Sequence, residues 1–228
     1  MRKTPKIEYS LIRSNRKTLA LYVRDSGVEV RAPFHMTRKE IDSFVNGKQE
    51  WVERMITKNA DLAEKKALFE VDYGSRVPYR GREYIVGGIP ERKVFFDNAF
   101  CVPVYLNPDQ VKRACVQIYR MLARRDLTAK VQDYATQMGV EPLGLKINGA
   151  KTRWGSCSAK KNLNFSWRLM MADDEVIDYV VVHELAHIKE MNHSPRFWSV
   201  VEGVLPDYKT RQSRLKKLQK KLNAEDWE

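Results

Sequence analysis

The chain has 228 residues, 43% of them hydrophobic and 10% aromatic, enough for one large or two small domains with buried cores, so disorder is excluded as the default. Its formal net charge of +12 and pI near 9.6 admit an anionic partner such as nucleic acid or a nucleotide, and equally a merely solvated basic surface. No apolar run approaches the ~18–20 residues of a membrane helix, and the basic N-terminus is broken by charges before a signal-like core develops; a cytoplasmic protein with no membrane partner is expected.

In chain order, "KIEYSLIR", "TLALYVR" and "VEVRAP" are short alternating runs separated by polar turns, the pattern of an antiparallel meander. A helix follows, with Thr37 as N-cap, Glu40 as its capping-box partner, and Met36 and Ile41 placed for a hydrophobic staple. It continues, with a break near Gly47, through Trp51, Met55 and Ile56 to about Leu68. The strand-like "VPYRGREYIVGG" and "KVFFDNAFCVPVYL" complete a β-rich N-terminal domain with a long helix, residues 1–106. From Asn107 the apolar residues Val111, Cys115, Ile118 and Leu122, and later Val131 and Met138, recur at helical spacing between Pro108 and Gly139. This opens a second domain, residues 107–228, which continues with the strands "LGLKINGAKTRWGSCSA" and "NLNFSWRLMM", linked by "KKN", and then three helices. The last of these, "YKTRQSRLKKLQKKL", turns Leu215, Leu218 and Leu222 inward and leaves its charges outside, either as a phosphate-binding surface or as a solvated face. Cys101, Cys115 and Cys157 are odd in number and widely spaced, as suits reduced thiols.

Three of the four histidines fall within eleven consecutive residues, His183 to His193. The helix "DEVIDYVVVHELAHIKEM", capped by Asp173 or Asp174, is apolar on most faces and is expected at the centre of its domain, so His183, Glu184 and His187 are buried or line a cleft. Four residues apart, His183 and His187 stand one helical turn apart, about 6 Å along the axis, on one face, where both reach one ion. Glu184 projects from nearly the same side and can take a proton from water at the metal instead of binding the metal. A catalytic zinc needs a third protein ligand and an open fourth position. His193 is that ligand in this reading, at the corner where Asn192 ends one helix in a left-handed conformation and Ser194 and Pro195 start the next; Glu202 is the alternative. A structural zinc is disfavoured because no cysteine lies beside the cluster in sequence.

The stretch "TRWGSCSAKKNLNFSWRLMMADDEVIDYVVVHELAHIKEMNHSPRFWSVVEGVLPDY" resembles the YgjP-like family of predicted zinc metallopeptidases, related to WLM and SprT-like minimal zincins, with a looser likeness over "IRSNRKTLALYVRDSGVEVRAP". The resemblance implies an α+β fold: a minimal zincin domain, with a small sheet packed on the HExxH helix, and a β-rich N-terminal extension. It implies Glu184 as general base and His183, His187 and His193 as zinc ligands, which leaves Glu202 outside the ligand set. In "WGSC", Trp154, Gly155, Ser156 and Cys157 have two readings that stand side by side. The strand binds an extended peptide along its edge, with Gly155 permitting close approach of another backbone, or Trp154 and Cys157 are core residues and Gly155 a bulge. Phe197 and Trp198 are expected to pack the helix that follows His193. Tyr208, Arg153 and Arg168 are candidate donors to a developing oxyanion.

The favoured function is a zinc-dependent hydrolase of peptide or protein bonds. One alternative is a metal-dependent nucleoside triphosphate pyrophosphatase acting on UTP, an activity sometimes assigned to YgjP-like proteins, for which Mg²⁺ or Mn²⁺ would be the cofactor. Another is a nucleic-acid-associated, SprT-like protease localised by its basic surface.

Overall fold

A computed structural model of the chain describes residues 7–24 and 26–227, and contacts divide the chain into two units, Met1–Leu68 and Phe69–Glu228. In the first, Val28, Val30 and Ala32 alternate along strand β3 (Gly27–Pro33) and bury one of its faces. This strand lies in the middle of a three-stranded sheet, between β1 (Ser10–Ser14) and β2 (Ala20–Arg24). β2 and β3 form the expected antiparallel hairpin, but β1 pairs with β3 in parallel, Leu11 opposite Val30. The meander is corrected accordingly: β1 lies on the far side of β3, which gives the most buried strand an apolar neighbour on each side.

Helix α1 (Arg38–Asn46) starts at the predicted capping box. Glu40 N donates to Thr37 Oγ1 (3.3 Å) and Thr37 N to Glu40 Oε2 (2.7 Å). Ile41 and Val45 join Val30 and Ala32 in the core of this unit, with Met36 packed against them. The helix stops at Gly47, and α2 (Gln49–Ala67) continues with Val52 buried and Trp51 and Ile56 exposed.

The second unit begins with β4 (Arg76–Tyr79), β5 (Arg82–Ile89), β6 (Phe95–Phe96) and β7 (Phe100–Pro103), in spatial order β4-β5-β7-β6. Val77, Val86, Phe100 and Val102 from this sheet share one core with Val111 and Ile118 of α3 (Pro108–Met138) and with Trp167. The division therefore falls after Leu68 and not near residue 106, where the change of character at Asn107 had suggested it. The strands before α3 need that helix to cover their apolar side chains. α3 itself starts and stops where the sequence predicts: Asn107 and Gln110 form a capping box, Pro108 is its first residue, and Gly139 is left-handed at φ 61°.

After α3 come β8 (Gly144–Asn148), β9 (Gly155–Cys157) and β10 (Asn162–Ser166). What reads as one long strand, "LGLKINGAKTRWGSCSA", is two. Asn148 Oδ1 accepts from Ala150 N (3.0 Å) and turns the chain, so β8 and β9 end on opposite sides of β10, parallel and antiparallel to it respectively. "WRLMM", expected to extend β10, is a fully buried 3₁₀ helix, Trp167–Met171. The three predicted helices follow: α4 (Asp174–Ala186), α5 (Pro195–Val204) and α6 (Tyr208–Leu222). The β4–β5 turn, left-handed at Arg80 and Gly81, ties to the start of α4 through Arg80 Nε and Nη2, which donate to Asp174 (2.7 and 2.9 Å). Cys101, Cys115 and Cys157 are all free. No helix among the described residues is long and apolar enough to cross a membrane.

Candidate metal centre

α4 starts at Asp173, whose side chain accepts from Val176 N (3.0 Å), and its Val180, Val181, Val182, Leu185 and Ala186 are buried, so it is the central helix its sequence predicts. It ends earlier than expected. The helix proper stops at Ala186, and Ile188 N and Lys189 N donate to Leu185 O and Ala186 O (3.0 Å each) in a tight turn. Asn192 does not adopt the left-handed conformation expected of it. The next helix begins as predicted, with Ser194 Oγ accepting from Phe197 N (3.3 Å) and Pro195 first.

The corner between the two helices folds His193 back onto α4. His193 Nε2 lies 3.1 Å from His183 Nε2, and one ring nitrogen from each of His183, His187 and His193 falls within 4.8 Å of the others. Two ligands about 2.05 Å from a tetrahedral ion stand about 3.3 Å apart, close to the observed separation of the two Nε2 atoms. His187 Nδ1 faces Glu190 O at 3.3 Å; as a donor there it leaves Nε2 as the free lone pair. Burial, reinforced by the neighbouring imidazoles, pushes His183 down to about 3, and burial also lowers His187. Converging imidazoles of this kind are the donor set that zinc takes, and the residues fit that ion. His183 Nδ1 is buried without a hydrogen-bond partner among the described residues. Phe197, fully buried, contacts all three rings at centroid distances of 4.6–4.9 Å, and Trp198 stacks on His193 at 5.7 Å. These two aromatic residues pack the histidines themselves as well as their helix.

Glu184 is only 6% exposed, and burial raises its carboxyl to about 7. Gly155 of β9 lies directly against it. A Cβ there would stand 2.6 Å from Glu184 Cγ and 2.7 Å from Oε1, so the residue permits close approach of a side chain where the sequence had suggested a backbone. Beside this contact is a cavity of about 150 Å³ that also reaches His183, Trp154 and the exposed Arg153. Ser156 is paired into the sheet opposite Asn164, whose Nδ2 lies 3.5 Å from Ser156 Oγ. Cys157 is near enough for the Glu184 charge to add to burial in raising its thiol.

The other candidates lie elsewhere. Arg168 is buried in the 3₁₀ helix with its guanidinium 5.1 Å from the Trp167 ring centre. Tyr208 is buried and stacks on Trp198 at 5.2 Å, behind the histidines. Glu202 is exposed on α5 and outside the histidine cluster. A larger depression of about 1050 Å³, between the end of α3 and β8, holds none of these groups. Sequence reasoning missed Tyr179 and Val180, which line the Glu184 cavity together with Leu215 of α6. Tyr179, four residues before His183, carried a signal in its spacing; Leu215 had been read only as a packing residue.

Residues 17–218 match the family model described as YgjP-like, metallopeptidase domain. Comparison with the curated proteins gave no match. Among solved structures, the chain is similar to the metallopeptidase zymogen abylysin of Pyrococcus abyssi, at 26% identity and a TM-score of 0.38 over 41% of this chain and 95% of that one. It is similar likewise to the metallopeptidase zymogen jannalysin of Methanocaldococcus jannaschii, at 26% identity and a TM-score of 0.37 over 42% and 96%. With the family model spanning most of both units, the chain belongs to the YgjP-like metallopeptidase family and is a zinc metallopeptidase-like hydrolase.

Proposed function

We propose that the chain hydrolyses peptide bonds, with His183, His187 and His193 holding zinc and Glu184 moving the proton. The observation that carries this reading is the convergence of three imidazoles beside one buried carboxyl. The chemistry that zinc supplies when bound is Lewis acidity, which makes water acidic near neutral pH and polarises the substrate carbonyl. Glu184 accepts the proton of the attacking water on a carboxylate oxygen and then delivers it to the nitrogen of the leaving amine. Burial raises the Glu184 carboxyl above the usual carboxylate range and so makes it a stronger base than an exposed glutamate. Gly155 keeps the carboxyl in line by leaving it room, and Phe197 and Trp198 hold the imidazoles.

The test is a hydrolysis screen of the zinc-loaded chain on peptides, casein and the four ribonucleoside triphosphates, with Glu184→Gln as the blank. Peptide cleavage that falls at least about 100-fold in Glu184→Gln, with zinc content unchanged, is the expected result. Equal cleavage by both proteins would refute it. The nucleotide alternative, with Mg²⁺ or Mn²⁺ in place of zinc, has less support. Among the described residues lining the Glu184 cavity, Arg153 is the one cation available to phosphate, and three imidazoles suit zinc better than the harder ions. Release of pyrophosphate from UTP that depends on Glu184 would favour it. Association with nucleic acid has its own basis in the exposed Lys209, Lys216, Lys217, Lys220 and Lys221 of α6. It predicts binding that weakens steeply as salt rises, and absence of binding at low salt would end it.

A further inference from the structure

We infer that the cavity beside Glu184 is a specificity pocket for a single apolar side chain of the substrate, of leucine to phenylalanine size, and that α6 builds it. This rests on the peptidase reading above. The cavity, about 150 Å³, ends on His183 and Glu184 and is walled by Trp154, Tyr179, Val180 and Leu215. An apolar cavity of about 150 Å³ accepts a benzene ring, which sets the size of its occupant. Because the wall at one end carries the proton-moving carboxyl and a histidine of the cluster, a side chain seated in the cavity belongs to a residue flanking the cleaved bond.

The chemistry of the walls selects against charge. The Tyr179 hydroxyl accepts from Gln212 Nε2 (3.2 Å), which ties up the polar end of that wall. The other walls are an indole, an isopropyl and an isobutyl group, and Arg153 is at the exposed rim. An apolar substrate side chain gains contact area on these walls, whereas a charged one gives up water and meets a charged group only at the two ends of the cavity, Arg153 at the rim and Glu184 at the floor.

The pocket is also preformed. Gln212, Leu215 and Gln219 lie three and four residues apart on one face of α6. Gln212 fastens this face to Tyr179, while Gln219 Nε2 donates to Lys151 O (3.1 Å), just ahead of Arg153 and Trp154. On the α4 side, Arg211 Nη1 donates to Glu175 O (3.1 Å), and Arg214 pairs with Asp173 (2.8 Å) and with Glu175. The helix is thus pinned to both walls, and Leu215 is held between them. Nothing in the HExxH motif encodes this wall; it comes from the last helix of the fold.

The test uses the zinc-loaded full chain. A mixed peptide library is digested and the cut sites read by mass spectrometry for the parent, Leu215→Trp and Leu215→Ala, each checked for melting temperature and zinc content. The parent is expected to cut beside Leu, Met or Phe, at least about 10-fold in preference to Ala, since each methylene in an apolar pocket is worth roughly that much discrimination. Leu215→Trp should fill the pocket and abolish the preference, and Leu215→Ala should extend it to larger rings. An unchanged cut profile in folded, zinc-loaded Leu215→Trp overturns the inference; should that variant fail to fold, an unchanged profile in Leu215→Ala does so. In parallel, the zinc-loaded parent and the same variant are titrated with an isobutyl-bearing and a methyl-bearing hydroxamate. A parent preference for isobutyl that Leu215→Trp removes supports the pocket, and equal affinities in the parent refute it. If the parent cuts no peptide, the peptidase reading falls and the hydroxamate pair still decides the pocket.

Discussion

Glu184 and Gly155, twenty-nine residues apart in sequence, occupy one another's space so closely that no side chain fits at position 155. Gly155→Ala would therefore push the carboxylate out of line by a fraction of an ångström to about one ångström. Misplacement of a reacting group on that scale costs on the order of 10–100-fold in rate. The expected outcome is a fall of that size in kcat for peptide cleavage with zinc content unchanged, read by steady-state kinetics beside metal analysis. A parental kcat in Gly155→Ala would mean that the carboxylate is not positioned by this contact. The clustering of the three histidines was legible in the sequence because its geometry is local: the placing of His183, Glu184 and His187 follows from helical spacing, and that of His193 from the Ser194–Pro195 restart. What pressed on Gly155 was not legible, since the contact is made by a different element. For the same reason Tyr208 and Arg168 looked available as donors, while the fold stacks one behind Trp198 and buries the other beside Trp167.

The elements repeat this division between near and far. Thr37 with Glu40, Pro108, and Ser194 with Pro195 each mark a helix start within four residues or fewer, and all three helices begin there. Strand order depends on which strand is most apolar and which partners reach it. The parallel pairings of β1 with β3 and of β8 with β10 therefore left no short-range trace. The end of α4 at Ala186 was also hidden, because the tight turn after it keeps helical spacing for His187. The α5 start has a direct test. Removing the Ser194 cap by Ser194→Ala should cost about 1 kcal/mol in urea unfolding and loosen the segment carrying His193, so zinc affinity should fall together with stability. Lower stability with unchanged zinc affinity would separate the cap from the metal site.

On the scale of the whole molecule, the division after Leu68 makes a claim about autonomy. The core that begins at Val71 and runs through β5, β7, α3 and α4 to Trp227 is continuous, whereas the first unit has a separate small core around Val30 and Ile41. A fragment spanning 69–228 is expected to unfold cooperatively and to bind zinc as the full chain does. A fragment spanning 107–228 should not, because it leaves uncovered the face of α3 on which Phe100 and Val102 pack. Chemical denaturation of both fragments checks this, and cooperative unfolding of the shorter one would restore a boundary near 106. The division after Leu68 was illegible because the strands before α3 read as β-rich like those at the N-terminus, although they pack in another unit.

In the proposed site, His193 completes the zinc ligands. Zinc K-edge X-ray absorption of the zinc-loaded full chain, compared with its His193→Ala variant, tests this most directly. Three imidazole nitrogens at about 2.0–2.1 Å in the parent, reduced to two in the variant together with weaker zinc binding, is the predicted result. Two imidazoles in both proteins, or sulfur among the ligands of either, would contradict it.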